Sequence, residues 1–311
     1  MLNVPMDILK LYPIRRTKEQ KNAFRTDILS LAKEMGYDAR VEAAGKKANN
    51  IIIGDPKTAK YLVTAHYDTP ASIGIPNVLT PCNLLCFILW QFLIVGVFVA
   101  AAFVSGEVAF LLSKSGKIAF LAAYIVYFGM LGLMMYGPAN KNNVNDNSSG
   151  VITLLEIAKS LQVNQRSKVC FVLFDLEESG MVGSKGYRKA HKDETEHQII
   201  LNLDCIGDGD HIIFFPTKKA KKNEQLMKDI HRIGGWFGKK QILLKKDGFY
   251  VYPSDQRSFP VGLGIAAFHK AKFVGFYCDK IHTKKDMILE ETNVNLLRAA
   301  LTTLISGDAV N

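Results

Sequence analysis

In Tyr61-Leu-Val-Thr-Ala-His66-Tyr-Asp68 an apolar run ends directly in an imidazole and a carboxylate. The pattern recurs in residues 169–178, which end in two glutamates, and in residues 199–204, which end in an aspartate. Short, continuous apolar runs are typical of strands buried in a parallel sheet. Ligands of α/β proteins bind beyond the carboxyl ends of such strands. We therefore predict that these polar side chains meet at one site.

The order of the remaining elements predicts an α/β fold, with a mostly parallel mixed sheet and helices on both faces. We predict helices at residues 17–35, 148–161, 223–234 and 290–306, and a short one after a glycine-rich turn at 180–186. Further strands are predicted at 38–42, 50–54, 211–215, 264–267 and 273–277. The predicted catalytic domain is discontinuous, comprising residues 1–80 and 137–311, and residues 81–136 form an inserted helical hairpin.

Composition narrows the cellular context of this 311-residue chain, whose net charge is +10. Its five cysteines are scattered without a metal-binding or disulfide pattern, which favours a reducing compartment. Residues 1–10 lack the apolar core of a signal peptide. Lysine groups at 218–222 and 239–246 could bind a nucleic-acid backbone, but because no aromatic residues are interleaved with them we interpret them as a solvated face. We expect no nucleic-acid partner.

Two further residues, added to the polar residues at the strand ends, would complete a site for two metal ions. Asp146 lies in Asn145-Asp-Asn-Ser-Ser-Gly150, and His282 lies in Ile281-His-Thr-Lys-Lys-Asp286. A co-catalytic hydrolase needs nitrogen and carboxylate ligands for two cations, a bridging carboxylate and an unligated carboxylate as base. The nitrogen ligands would be His66 and His282. The oxygen ligands would be Asp146, Glu178 and Asp204, with Glu177 as the base and Asp68 orienting His66 from behind.

The motifs occur in the order His66-Tyr-Asp68, Asp146-Asn-Ser-Ser-Gly150, Glu177-Glu-Ser-Gly, Asn202-Leu-Asp204, Ser254-Asp255 and Ile281-His-Thr283. This ordered set resembles the co-catalytic zinc aminopeptidases, which include bacterial leucyl aminopeptidase, aminopeptidase Y and the glutamate carboxypeptidases. The resemblance covers nearly the whole chain outside residues 70–140. It implies a zinc-exopeptidase fold, two Zn²⁺ ions (with other divalent metals possible) and peptide substrates.

The resemblance also implies a role for each site residue. Asp146 would bridge the ions, His66 and Asp204 would complete one site, and Glu178 and His282 would complete the other. Glu177 would be the general base and Asp68 would orient His66. A cis peptide would follow Asp146. The chain departs from the family at Gln256, where a histidine is common. The family's oxyanion-stabilising tyrosine has only two candidates, Tyr250 and Tyr252, either of which could equally be a packing residue.

Two apolar segments interrupt the chain between Asp68 and Asp146. Residues 84–104 and 118–136 carry no charge, and each is long enough to span a bilayer as a helix. A buried hairpin or an apolar dimer interface is the alternative. Two crossings would return the chain to the same side. The short far-side loop carries +1 and the main body +9, so the positive-inside rule predicts a cytoplasmic catalytic domain.

These observations predict a membrane-anchored di-zinc aminopeptidase. Its cleft should lie close to the membrane, because Asp146 follows only ten positions after Tyr136, and it should favour membrane-associated peptides. One alternative is an enzyme like the glutaminyl-peptide cyclases, which share the fold but resemble a single-zinc condition. Another is a non-catalytic membrane receptor or scaffold on a peptidase fold. The preferred N-terminal residue and the oligomeric state stay open.

Overall fold

The computed structural model describes residues 4–72 and 74–307. Its strands are β1 (Ala39–Ala44), β2 (Ala48–Ile53), β3 (Tyr61–His66), β4 (Val169–Phe174), β5 (Ile199–Leu203), β6 (His211–Pro216), β7 (Gly235–Phe237), β8 (Lys240–Leu244), β9 (Gly262–Ala271) and β10 (Gly275–Tyr277). Its α-helices are α1 (Ile8–Leu11), α2 (Lys18–Glu34), α3 (Leu84–Ser113), α4 (Gly116–Tyr136), α5 (Gly150–Ser160), α6 (Val182–Ala190), α7 (Lys192–His197), α8 (Glu224–Ile233) and α9 (Glu291–Ser306). The signal-peptide prediction concerns residues 1–10, of which 1–3 lie outside the described residues.

The ten strands form one mixed sheet in the order β1-β2-β4-β3-β5-β9-β6-β8-β7, with β10 paired to β9. The central strands β4, β3, β5 and β9 run parallel, whereas β1, β2 and β6 pair in antiparallel fashion at the flanks. Every residue of β3, β4 and β5 is buried, as expected for strands covered on both faces. The predicted mixed α/β sheet is therefore confirmed, with four parallel strands at its centre and a further parallel pair, β6 with β8, on one flank.

Helices cover both faces of this sheet. On one face α2, α5 and α9 share a core with alternate residues of the central strands; Phe24, Val151 and Leu297 belong to the same buried cluster as Leu201. On the other face α6 packs through Tyr187 against Phe174 of β4. Helix α2 begins where predicted, because Thr17 and Gln20 form a capping box that satisfies backbone N–H groups at its first turn.

Three features of the flanks differ from the sequence prediction. Strands β7 and β8 were not predicted, because their segment is short and rich in lysine. The strand predicted at 273–277 is shortened to β10, and Phe273 lies in the turn that joins it to β9. Short helices α1 and α7 were also missed. Of these elements, β10 lies at the carboxyl end of a central strand, because it pairs with the last three residues of β9.

Helices α3 and α4 form an antiparallel hairpin whose limits correct the sequence prediction. The first helix continues nine residues beyond Val104 to Ser113, so most of the predicted far-side loop is helical. It ends where Lys114 adopts a left-handed backbone (φ 53°). Most of the hairpin's large apolar side chains are exposed, and both helices are long and apolar enough to cross a membrane. The helices approach closely at Gly106, where an added Cβ would lie 3.2 Å from the Ala119 carbonyl oxygen.

The base of the hairpin is fastened to the rest of the chain at both ends. On the entry side, Leu79 forms an isolated antiparallel bridge with Cys278. On the exit side, Ala139 forms one with Ala71. Arg16 donates hydrogen bonds to the carbonyl oxygens of Met135 and Gly137 at the end of α4. The hairpin is therefore held against the carboxyl edge of the sheet.

Candidate active site

Asp68 connects the end of β3 to the turn that follows β4. Its carboxylate accepts the backbone N–H groups of Glu177 at 3.0 Å and Glu178 at 3.2 Å. The same carboxylate lies 3.5 Å from His66 Nδ1, and the Asp68 carbonyl oxygen lies 3.2 Å from that nitrogen. A ring nitrogen between two acceptors carries a proton, so Nε2 is the nitrogen that a cation would take once its own proton has left.

Asp146 is fixed by hydrogen bonds on both sides of its backbone. Asp286 accepts the N–H groups of Asn145 at 2.6 Å and Asp146 at 3.1 Å. The side chain of Asn147 donates to the carbonyl oxygen of Leu203, at the end of β5, at 2.9 Å. The peptide bond between Asp146 and Asn147 is cis, as the family resemblance implied. These contacts hold Asp146 between the end of β5 and the segment that carries His282.

Uncommon backbone conformations occur next to several of these side chains. Leu176, Cys205 and His282 have φ angles of 58°, 58° and 60°. Left-handed backbone is unfavourable for residues other than glycine, at about 1–3 kcal/mol each, and it persists where the surroundings impose it. Leu176 precedes the glutamate pair and Cys205 follows Asp204. These left-handed residues therefore lie at or next to side chains of the candidate site.

The carboxylate of Asp146 lies between the two histidines. Its Oδ1 is 3.2 Å from His66 Nε2, and its Oδ2 is 3.1 Å from His282 Nε2. His66 Nε2 is also 3.8 Å from Asp204 Oδ1, and His282 Nε2 is 3.5 Å from Glu178 Oε2. Three groups have their ligand atoms within 4.8 Å of one another: His66 with Asp146 and Asp204, Asp146 with Glu178 and His282, and His66 with Glu177 and Glu178. Asp146 is shared by the first two groups.

The electrostatics of the cluster reflect crowded carboxylates. Burial would lower the pKa of His66, but the surrounding aspartates outweigh it and raise that pKa well above its usual value. The pKa of His282 rises to about 9, because Glu178 and Asp146 likewise outweigh burial. Burial, reinforced by neighbouring carboxylates, raises the pKa of Glu178 to about 8 and that of Glu177 well above its usual value. Such a cluster favours positive charge at its centre.

The donor atoms of the cluster fit zinc. Imidazole nitrogens and carboxylate oxygens are the ligands that Zn²⁺ takes in catalytic sites. Glu178 Oε1 is buried and has no hydrogen-bond partner among the described residues, as expected of an atom reserved for a cation. A carboxylate with one oxygen toward each histidine has the arrangement that a bridging ligand requires. The predicted site residues thus lie together as two adjoining candidate cation sites.

The structure also adds residues to which the sequence analysis gave no role. Asp255 is fully buried near the cluster, and burial raises its pKa to about 7. Arg15 is fully buried and donates to Ser148 Oγ at 3.0 Å and to the carbonyl oxygen of Tyr67. No sequence pattern marks Arg15, because its partners are mainly backbone carbonyls distant in sequence. Only the Ser254-Asp255 motif could have drawn attention to Asp255.

The two tyrosine candidates have their hydroxyl groups engaged. Tyr252 is buried, and its hydroxyl donates to the carbonyl oxygen of Asp204 at 3.0 Å. Tyr250 donates to the carbonyl oxygen of Pro216. Both contacts favour a packing role. Two of the histidines outside the motifs, His191 and His269, lie within hydrogen-bond distance of Glu42 and Asp208 respectively.

Solved structures with the same fold include exopeptidases and cyclases. A Zn-dependent exopeptidase from Parabacteroides distasonis aligns with a TM-score of 0.62 at 15% identity, covering 98% of this chain and 96% of the other. A glutaminyl cyclase from Porphyromonas gingivalis aligns with a TM-score of 0.62 at 16% identity, covering 97% and 95%. The LapA aminopeptidase of Legionella pneumophila aligns with a TM-score of 0.57 at 14% identity, covering 98% and 68%. At these identities the likeness establishes the fold.

The sequence comparisons identify the family. A search among curated proteins gave no significant match. The sequence profile of Peptidase family M28, however, matches residues 133–305, which is more than half of the chain and includes Asp146, the glutamate pair, Asp204 and His282. Together with the zinc-exopeptidase fold, this match supports a zinc-dependent hydrolase. The chain belongs to Peptidase family M28.

Proposed function

We propose that this chain is a membrane-anchored di-zinc aminopeptidase that removes N-terminal residues from peptides. The observation that carries the proposal is the position of Asp146, with one carboxylate oxygen 3.2 Å from His66 and the other 3.1 Å from His282. A carboxylate placed in this way suits two cations that share it. The aminopeptidase type rests on the resemblance of the ordered motifs.

Each residue of the cluster would have one task. His66 and Asp204 would hold one zinc ion, Glu178 and His282 the other, and Asp146 both. Two zinc ions, when bound, would polarise the substrate carbonyl and make water at the site more acidic. Glu177 would take the proton of the attacking water and pass it to the leaving amine. Asp68 would orient His66 through Nδ1 and hold the Glu177 backbone, since it accepts from both.

The apolar hairpin would anchor this domain in a membrane. Along α3, Glu107 lies 23 residues after Leu84, which at 1.5 Å per residue is about 35 Å. This rise exceeds the roughly 30 Å of hydrocarbon, so the helix's one acidic residue would reach the far headgroups. Residues 84–104 and 118–136 would contact lipid, and the discontinuous domain of residues 1–80 and 137–311 would remain in the cytoplasm.

A glutaminyl cyclase is the second candidate, since the Porphyromonas enzyme aligns as well as the Parabacteroides exopeptidase does. Metal content separates the two. A cyclase of the single-zinc kind would hold one ion per chain and would convert N-terminal glutamine to pyroglutamate. An aminopeptidase would hold two and would release the first residue. A non-catalytic scaffold would neither cyclise N-terminal glutamine nor release the first residue.

The test is a screen of aminoacyl amides with the detergent-solubilised full chain, with and without a chelator. We expect release of at least one amino acid, loss of that activity with the chelator and recovery on adding zinc. A parallel assay with an N-terminal glutaminyl peptide detects cyclisation. Absence of metal-dependent release from every amide would overturn the proposal, and cyclisation alone would favour the second candidate.

A further inference from the structure

The turn between β9 and β10 lies against the start of α3. The side-chain amide of Asn83 donates to the carbonyl oxygens of Phe273 at 3.3 Å and Val274 at 3.2 Å. The other end of the same side chain accepts the Cys86 N–H at 3.1 Å and caps the first turn of α3. One residue therefore holds the turn at the level where the apolar helix begins.

A second loop, residues 245–251, lies on the same part of the molecule. The backbone N–H of Val251 donates to the carbonyl oxygen of Pro81 at 2.9 Å. Burial raises the pKa of the Cys82 thiol, and the nearby charge of Lys245 offsets part of that rise. Two loops from the catalytic body are thus in contact with residues 81–83, immediately before α3.

Both loops combine exposed phenylalanine with lysine. Phe273 is 86% exposed and Phe249 is 51% exposed. The ammonium group of Lys272 lies 5.7 Å from the centre of the Phe273 ring. Residues 245–251 and 270–277 contain four lysines and a single acidic residue, Asp247. Single exposed apolar residues are common, but here two aromatic rings with basic neighbours lie beside the end of a long apolar helix.

We propose that Lys245, Phe249, Lys272 and Phe273 form a collar that contacts the anionic headgroups of the leaflet from which α3 starts. The proposal rests on the proposed anchoring of the hairpin. Aromatic rings favour the interfacial zone of a bilayer, and lysines near the surface are attracted to anionic lipids. A headgroup layer is favoured as the partner because both loops contact residues 81–83, where the apolar helix α3 begins, so a bilayer around the helix would reach both loops.

The collar would also limit how the catalytic body sits on the membrane. A hairpin alone leaves the body free to tilt about its two connections. Contacts at the start of α3 would hold the body on the entry side, while Arg16 and the end of α4 lie on the exit side. The candidate site lies at the same sheet edge, so its orientation to the bilayer would be set by the collar.

Tryptophan fluorescence in lipid nanodiscs tests the collar with the full chain. The reporter is Phe273→Trp in a chain that carries Trp90→Phe and Trp236→Phe. The matched control is Val163→Trp in the same background, because Val163 is 78% exposed and precedes β4 at the opposite edge of the sheet. Trp90 itself, in a Trp236→Phe chain, reports on the hairpin. Nanodiscs contain phosphatidylcholine alone or mixed with phosphatidylserine, with quenchers attached to headgroups, to acyl chains or dissolved in water.

If the collar binds lipid, headgroup-attached quenchers reduce emission from position 273 but not from position 163, and phosphatidylserine increases this quenching. Replacing Lys245 and Lys272 by glutamine should remove the phosphatidylserine effect, while hydrolysis of a soluble aminoacyl amide stays unchanged. Quenching of Trp90 by acyl-chain probes without headgroup quenching at position 273 would overturn the collar and leave the anchor standing. Equal quenching in both lipids would overturn the preference for anionic headgroups. If only the quencher dissolved in water reduces Trp90 emission, both the anchor and the collar would be overturned.

Discussion

The carboxylates of the cluster lie so close together that they repel one another when ionised. Asp146, Glu178 and Asp204 crowd around two imidazoles, with Glu177 beside them, and like charges this close oppose joint ionisation. Backbone N–H groups from the glutamate turn and the Asn145–Asp146 segment fix Asp68 and Asp286 at the periphery. The fold therefore fixes these groups in positions where ionising all the carboxylates together is unfavourable, unless cations compensate the negative charge.

The first prediction at this scale concerns Glu177. Replacing it by glutamine keeps the shape of the side chain but removes the base, so we expect kcat to fall by about 10²–10⁴-fold. Zinc content measured by atomic emission should be unchanged, because Glu177 is not assigned as a ligand. Asp146→Asn is the contrasting variant, which should lose metal and activity together. A Glu177→Gln enzyme with near-normal kcat would contradict the role of base.

The second prediction concerns pH and metal affinity. Without cations, the pKa of His282 is about 9 and that of Glu178 about 8, so both groups are protonated at neutral pH. Zinc must displace these protons, and apparent affinity should rise by about tenfold per pH unit for each proton released until the pH passes about 9. Competition with a chromophoric chelator over a pH series measures this slope. His282→Gln should flatten it, and a pH-independent affinity in the native chain would contradict the prediction.

At the scale of elements, the central strands were predictable and the hairpin limits were not. Strands β3, β4 and β5 are mostly apolar and lead directly into ionisable residues, so pattern alone located their carboxyl ends. Helix α3 continues beyond its uncharged segment, because the single glutamate, Glu107, does not interrupt helical hydrogen bonding. Asp286 and Arg15 were missed in their structural roles, because their partners are backbone groups brought close only by folding.

A prediction at this scale concerns the contact of α3 with α4. At Gly106 a larger side chain would meet the backbone of Ala119 and the Cβ of Ala123, whereas at Gly96 an added Cβ has nothing within 4 Å. Gly106→Leu should destabilise the hairpin by about 1–3 kcal/mol, the usual effect of overpacking. Gly96→Leu is the matched control, since both changes remove a helical glycine. Denaturant titration in mixed micelles measures the difference, and equal stability of the two variants would contradict the packing.

At the scale of the whole molecule, the hairpin and the candidate site share connections. The bridge between Leu79 and Cys278 lies four residues before His282. On the other side, the side chain of Asn140 donates to the carbonyl oxygen of Thr283 at 3.1 Å. The segment that carries His282 is therefore held by both ends of the hairpin. This arrangement supports the proposal that the cleft lies close to a membrane.

A prediction at this scale follows from removing the hairpin. Replacing residues 82–137 by a short linker leaves the bridges of Leu79 and Ala139 in place, so we expect a soluble chain that still hydrolyses soluble aminoacyl amides. Cleavage of peptides presented on vesicles should fall relative to that of soluble peptides, because the site is no longer held near lipid. The ratio of the two rates is the measurement. An unchanged ratio would show that the hairpin does not direct substrate choice.

X-ray absorption at the zinc edge tests whether Asp146 joins two zinc sites. The full chain, purified in detergent and loaded with zinc, should contain two ions per chain with nitrogen and oxygen ligands. The spectrum should show scattering between metals at about 3.5–4 Å, the separation of co-catalytic pairs. Asp146→Asn should abolish that signal. One ion per chain without metal–metal scattering would contradict the account.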